Sequence, residues 1–203
     1  MKKTFILGIC GGTGSGKTTL ATTIHKRFAK SSILIPHDHY YRDQSHLTME
    51  ERVKTNYDHP DSLETSRMID DITKLTQGKT VTIPTYDFTK HNRAKKTKTL
   101  SPAPLIIIEG ILIFHEEALR NLMSLKVFVD VEEYIRLCRR IRRDVEERGR
   151  TLEMTTNQYL TLSGPMHHQF VEPSKKHADI IVPQGGYNKV AIESIVALIK
   201  ERL

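Results

Sequence analysis

Eight consecutive residues near the N-terminus, Gly11-Gly12-Thr13-Gly14-Ser15-Gly16-Lys17-Thr18, match the pattern G-x-x-x-x-G-K-[ST] in full. Each residue type has a physical task. The glycines let the backbone curl so that successive N–H groups point inward at phosphate oxygens. A helix starting at once turns its positive end toward the same anion. Lys17 reaches the β- and γ-phosphates, and the Thr18 hydroxyl is placed to ligate Mg²⁺. The run follows a predicted strand and precedes a predicted helix. That context disfavours a glycine-rich turn that matches by chance. The loop points to a nucleoside-triphosphate site without naming a reaction.

Two carboxylates stand where such a site needs them. Asp38 follows a predicted strand, and ligands of open α/β sheets bind beyond the carboxyl ends of strands. From there it could accept a proton from a hydroxyl attacking the γ-phosphate; a turn-forming Asp is the plainer reading. The flanking His37 and His39 could suggest a metal cluster, but no matching ligands lie nearby. Glu109 follows the apolar run Leu105-Ile106-Ile107-Ile108, which is the Walker B arrangement for holding Mg²⁺ directly or through water. The alternative is an acid that only ends a strand.

Seven arginines crowd one segment: Arg136, Arg139, Arg140, Arg142, Arg143, Arg148 and Arg150. At helical spacing Arg136, Arg140 and Arg143 share a face. Arg148-Gly149-Arg150 then breaks the helix. Planar guanidinium forks suit phosphate oxygens and can neutralise charge that develops during transfer. A helix ending in a basic loop is what a closing lid requires. A solvated basic face or a nucleic-acid patch would use the same residues.

These groups need elements to position them. Thr4 to Ile9 reads as a buried strand, followed by a helix with Leu20, Ile24 and Phe28 on one face. Ile33 to Pro36 is a second strand. Thr48 with Glu51 predicts a capping box, and Asp61 with Glu64 predicts another, opening a helix with Met68, Ile69, Ile72 and Leu75 inward and Gly78 at its end. Residues 79–104 read as a β-hairpin excursion, with Pro84 confining its strand to an edge. A loose basic loop is the competing reading for residues 94–98. Leu105 to Ile108 reads as a central parallel strand, and Lys126 to Val131 as the next. Tyr134, Cys138, Ile141 and Val145 mark a helix by an apolar stripe. Ala178 to Pro183 is the last strand. A final helix begins near Asn188 with Ile192, Ile195, Ile199 and Leu203 inward. Strands alternating with helices predict an α/β doubly wound parallel sheet, helices on both faces, in a single domain over residues 1–203.

The 203 residues can bury a proper core. Hydrophobic content of 38% and charged content of 27% argue against global disorder. The net charge of +7 favours anionic partners without choosing among them. Two distant cysteines, Cys10 and Cys138, make a disulfide framework improbable and fit a reducing cytoplasm. The N-terminal apolar run has no signal-cleavage pattern, and no apolar stretch is long enough to span a bilayer.

Taken together, these residues resemble the uridine kinase (uridine–cytidine kinase) family over nearly the whole chain. The resemblance rests on the phosphate loop, His37-Asp38-His39-Tyr40-Tyr41, Tyr57-Asp58-His59-Pro60-Asp61, Pro84-Thr85-Tyr86-Asp87-Phe88, His91-Asn92-Arg93, Glu109-Gly110-Ile111-Leu112, Arg143-Asp144, Glu147-Arg148-Gly149-Arg150 and Pro173-Ser174-Lys175-Lys176. It implies phosphorylation of the 5′-hydroxyl of uridine and cytidine by ATP or GTP with Mg²⁺. It implies Asp38 as general base, acting with Lys17 and Arg143, and Thr18 and Glu109, with Asp38 beside them, as the Mg²⁺ neighbourhood. Asp58 resembles a ribose ligand, with Arg140 and Arg150 near sugar and phosphates. Tyr86, His91 and Gln158 resemble the residues that recognise the pyrimidine, and Tyr41, Tyr57 and Phe88 its aromatic walls. Residues 79–104 would be the nucleoside-binding element and 136–165 the lid region. The resemblance suggests a homotetramer. The sequence departs from the family pattern at His37, Gln184, Gly164 and His167.

Two other readings compete. A kinase resembling phosphoribulokinase or pantothenate kinase shares the loop but needs no aromatic walls. A nucleic-acid-binding ATPase fits the charge, but the arginines sit at a helix-to-loop position and no nucleic-acid or membrane module is present.

Overall fold

The computed structural model describes residues 4–203. Five parallel strands form the central sheet in the order β2-β7-β1-β8-β9. They are β1 (Phe5–Cys10), β2 (Ser32–Pro36), β7 (Leu105–Gly110), β8 (Leu125–Asp130) and β9 (Ile180–Pro183). β1 and β7 are buried along their whole length, which explains their unbroken apolar runs. Alternate side chains feed two cores. Ile6, Ile106 and Ile108 face one with Met68, Ile72 and Phe114. Leu7, Ile9 and Ile107 face the other with Leu20, Ile24 and Ile195. Each such burial contributes about 1.5–3 kcal/mol. Helices therefore cover both faces, and the fold is the doubly wound α/β sheet that the strand–helix alternation predicts.

The register decides where chemistry can occur. Glu109 on β7 stands opposite Ile9 of β1 and Pro36 of β2. The loops leaving β1 and β2 therefore open at the same sheet edge as Glu109. The first runs into α1 (Lys17–Arg27), the second into a 3₁₀ turn, His37–Tyr40, that carries Asp38.

The excursion at residues 79–104 forms two small antiparallel ladders. β3 (Val81–Ile83) pairs with β6 (Lys98–Leu100), and β4 (Tyr86–Asp87) with β5 (Asn92–Arg93). Lys98 of the doubtful basic stretch is thus a strand residue.

Three expectations about helices meet the structure differently. The capping box of α2 (Met49–Lys54) forms as predicted: Thr48 accepts from the Glu51 N–H, and Glu51 takes the Thr48 N–H at 2.8 Å. The second box does not form. Asp61 lies in a 3₁₀ turn, Pro60–Ser62, with its N–H on His59 Nδ1, and α3 (Thr65–Thr76) starts later. Glu64 occupies the N-cap without capping by its side chain, because Arg93 binds its carboxylate at 2.8 Å. The third expectation concerns α5 (Glu133–Arg148), which follows the short α4 (Glu117–Arg120) and β8. The helix forms, and its apolar stripe faces largely outward. Tyr134 and Val145 are exposed, as is Cys138, while Arg136, Arg140 and Asp144 are buried. The inward face looks onto a charged cleft instead of a core, so polar groups are enclosed there. Gly149 ends the helix at φ 66°.

Beyond it, α6 (Leu152–Gln158) runs on through a π turn, Tyr159–Ser163, a single turn α7 (Gly164–Met166), a second π turn, His167–Val171, and α8 (Glu172–Ser174). The C-terminal helix α9 (Lys189–Arg202) is capped by Asn188, as expected, and buries Ile192, Ile195 and Ile199. Leu203 is partly buried against the same core. No helix among the described residues is long and apolar enough to cross a membrane. Both cysteines are free.

Candidate active site

The phosphate loop is built as its sequence requires. Gly14 (φ 76°) and Gly16 (φ 93°) adopt left-handed conformations that side chains resist. A Cβ at Gly16 would lie 2.7 Å from the Gly186 nitrogen, and one at Gly14 would strike the Arg136 carbonyl oxygen. The space behind Gly12 is filled by Arg136 and His167. The loop is therefore braced from behind, with Gly11 to Ser15 leading into α1. That helix has no side-chain cap and no acid in its first turn, so its N–H groups remain for an anion. Lys17 is largely buried at its start. The Thr18 hydroxyl donates to Glu109 Oε1 at 3.2 Å. This contact joins the loop to the acid at the end of β7. Burial raises the Glu109 carboxyl to about 7, the nearby Asp38 adds to the rise, and Lys17 and Thr18 oppose it.

His37 is not poised for a metal. It is buried, its Nε2 lies 3.1 Å from Thr65 Oγ1, and burial lowers its pKa to about 4. It also fills the space beside Gly110. Among the described residues no group of three or more His, Cys, Asp and Glu gathers into a metal cage.

Two clefts meet at this edge of the sheet. The outer one is lined by Gly14, Gly16, Lys17, Thr18, Glu109 and Arg139. The inner one is walled by Tyr41, Tyr57, Tyr86 and Phe88, with Asp58, His91 and Gln158. Arg140 and Arg150 complete the inner wall. Lys17, Asp38, Arg143 and Arg148 border both. All the residues proposed from sequence for the nucleoside thus share one cleft, although they come from segments as far apart as Tyr41 and Gln158.

The aromatic walls support one another. Tyr41 and Tyr57 meet edge to face at 5.3 Å, Tyr41 and Tyr86 lie 4.9 Å apart, and Phe88 stands against Tyr86 at 5.1 Å. The Tyr57 hydroxyl lies 3.0 Å from the His91 carbonyl oxygen and 2.8 Å from Gln44 Oε1. His91 adopts φ 48°, an uncommon conformation for a residue with a side chain and one that turns the β4–β5 loop into the cleft. Burial first, then Arg150 and Arg148, lower its pKa to about 4, so its imidazole is neutral. Gln158 Oε1 accepts from both Arg140 Nη2 (2.9 Å) and Arg150 Nη1. Two guanidinium donors orient the amide oxygen toward themselves. The amide nitrogen is left to donate elsewhere. Asp58 accepts from Ser163 and lies 3.9 Å from Arg140 Nη1.

Sequence reasoning gave Arg148 no role of its own. It borders both clefts with its guanidinium carbon 4.2 Å from the Phe88 ring centroid. Its place in the arginine run was the signal available. Ser163 beneath Asp58 and Gln44 beneath Tyr57 had no local signal at all.

The chain is similar to known proteins over nearly its whole length. The model of the Phosphoribulokinase / Uridine kinase family matches residues 6–191. A uridine kinase of Clostridium perfringens is 50% identical over 204 aligned residues, spanning 100% of this chain and 98% of the relative. One of Streptococcus gordonii is 50% identical, spanning 98% of this chain and 95% of the relative. Phosphoribulokinase from Rhodobacter spheroides superposes with a TM-score of 0.67 at 17% identity, over 90% of this chain and 71% of that one, a likeness of fold alone. The phosphate loop, the acid ending β7 and this full-length match agree: the chain belongs to the phosphoribulokinase/uridine kinase family.

Proposed function

We propose that this chain phosphorylates the 5′-hydroxyl of uridine and cytidine, giving UMP and CMP, with ATP as donor. The observation that carries the reading is the aromatic-walled inner cleft, whose boundary with the phosphate loop holds Lys17 and Asp38. The full-length likeness to uridine kinases supports it. A flat uncharged base is best held between aromatic faces, with a few polar groups at its edge. Tyr86, neutral His91 and the Gln158 amide supply that edge, and Asp58 binds a ribose hydroxyl. A phosphoribulokinase-like substrate would leave the aromatic walls without a task.

The donors near the phosphate loop fit Mg²⁺, which needs only one or two carboxylates beside phosphate oxygens. Thr18 and Glu109 would hold it, with Asp38 beside them. When bound there, Mg²⁺ would supply positive charge against the charge of the phosphates. Asp38 accepts the proton of the attacking 5′-hydroxyl. Lys17 and the loop N–H groups hold the phosphates in line. Arg143 and Arg148, bordering both clefts, balance charge as the phosphoryl group crosses between them. Catalysis here is positioning and charge neutralisation.

The inner cleft encloses only about 70 Å³. Small-molecule sites usually offer about 300 Å³ or more. Opening of the arginine segment, a helix that ends at Gly149 in a basic loop, would admit the nucleoside, and its closure would exclude water. The test is ADP release from purified protein with ATP, Mg²⁺ and a panel of uridine, cytidine, adenosine, guanosine, thymidine, ribulose 5-phosphate and pantothenate. Release with uridine and cytidine alone is expected. Equal release without any acceptor would sink the reading.

A further inference from the structure

Asp144 is the carboxylate around which the arginine segment is organised. It lies fully buried on the inward face of α5. Four guanidinium groups converge on it: Arg143 at 2.7 Å, Arg148 and Arg150 at 3.3 Å, and Arg140 at 3.6 Å. Burial by itself would raise its pKa, but the summed guanidinium charge outweighs burial and holds it below the ordinary value. The Asp144 backbone carbonyl also accepts the N–H groups of Gly149 and Arg150, the latter at 3.1 Å. The turn that ends α5 and the side chains it presents are thus tied to one residue.

Asp144 borders neither cleft, whereas all four arginines border the inner one and two of them the outer. Four cations crowded without a counter-charge would repel one another and turn toward solvent. We infer that Asp144 is a positioning residue for phosphoryl transfer. It holds Arg143 and Arg148 at the boundary of the two clefts and Arg140 and Arg150 over the nucleoside cleft, all through its carboxylate. Asp144 and, beside Arg140, Asp58 give two negative charges against four positive, so the cluster stays cationic and attractive to phosphate. The inference rests on the proposed role of these arginines in the kinase reaction.

The test measures kcat and KM for uridine and ATP in Asp144→Asn, Arg143→Gln and the double variant, beside thermal melting. Asparagine keeps the shape and removes the charge. Misplacing catalytic groups by about 1 Å costs about 10²-fold, so Asp144→Asn is expected to lose about that in kcat while remaining folded. The double variant is expected to be little worse than the more damaged single, because both act through one group. Additive losses, or a kcat for Asp144→Asn within about twofold of the parent, would overturn the inference. If Arg143→Gln leaves kcat and both KM values unchanged, the arginine reading itself falls, whatever Asp144→Asn does. Should Asp144→Asn fail to fold, Asp144→Glu keeps the charge and displaces it by one methylene. A folded Glu variant with at least about tenfold lower kcat supports positioning. Parental kcat in that variant, or collapse of both variants, assigns Asp144 a structural role only and overturns the inference.

Discussion

Three buried histidines make the fold's response to acid unusual and calculable. His37, His91 and His167 are each less than a tenth exposed, and burial is the first cause that lowers each pKa from 6.5 to about 4. Nearby guanidinium charge adds to the effect at His91 and His167. Between these values the unfolded chain binds a proton at each site and the folded chain does not. The stability these three histidines contribute is therefore full above pH 6.5 and is lost as pH falls toward 4. Glu109 acts in the opposite sense. Burial raises it from 4.5 to about 7, so in the same window the folded chain holds a proton there that the unfolded chain has released. From these four groups alone, three protons taken up on unfolding, less one released, leave about two near pH 5.5; His39 and His177, also lowered, add to the uptake, and the raised Asp71 opposes it. An uptake of about two is a slope of about 2.7 kcal/mol per pH unit, a large share of a typical domain's stability. The assay is urea unfolding at closely spaced pH values from 7.5 to 5, without nucleotide or Mg²⁺. His37→Gln, which keeps a partner for Thr65, should lower the uptake by about one proton. An uptake below about one proton in the parent near pH 5.5, or no change in His37→Gln, would refute the reasoning.

Two further outcomes follow from the site. Asp38→Asn should keep ATP affinity and lose about 10²-fold or more in turnover with uridine; a parental rate would remove Asp38 from the chemistry. Tyr86→Ala should raise the KM for uridine by at least about tenfold, since one aromatic face and its contacts with Tyr41 and Phe88 are lost, with little change in ATP affinity. Intact use of uridine by that variant would favour a substrate without a base.

Much of this protein was legible in one dimension because the physics was local. The phosphate loop needs only adjacent residues, and its strand-before, helix-after context lies within the same stretch. The apolar runs of β1 and β7 announce strands buried on both faces, and the strand–helix alternation then leaves few folds open. The box at Thr48 and Glu51 is likewise a matter of three positions. The nucleoside cleft was legible only through the family resemblance. Tyr41, Tyr86, His91 and Gln158 carry no mark of sharing a cleft when read singly.

What the tertiary structure alone decided is the direction in which α5 faces and the company its charges keep. The stripe of Tyr134, Cys138, Ile141 and Val145 satisfies helical periodicity, and periodicity favours burying apolar groups. The structure buries Arg136, Arg140 and Asp144 instead, because the surface opposite them is a charged cleft. No local rule could show that, since a helix buries whatever its neighbours can satisfy. The same holds for the Asp61–Glu64 box, broken by Arg93 from a distant strand, and for the four guanidiniums that meet at Asp144. The local motif set the phosphate loop; the partners of the arginines were set by where the sheet and its excursions brought them.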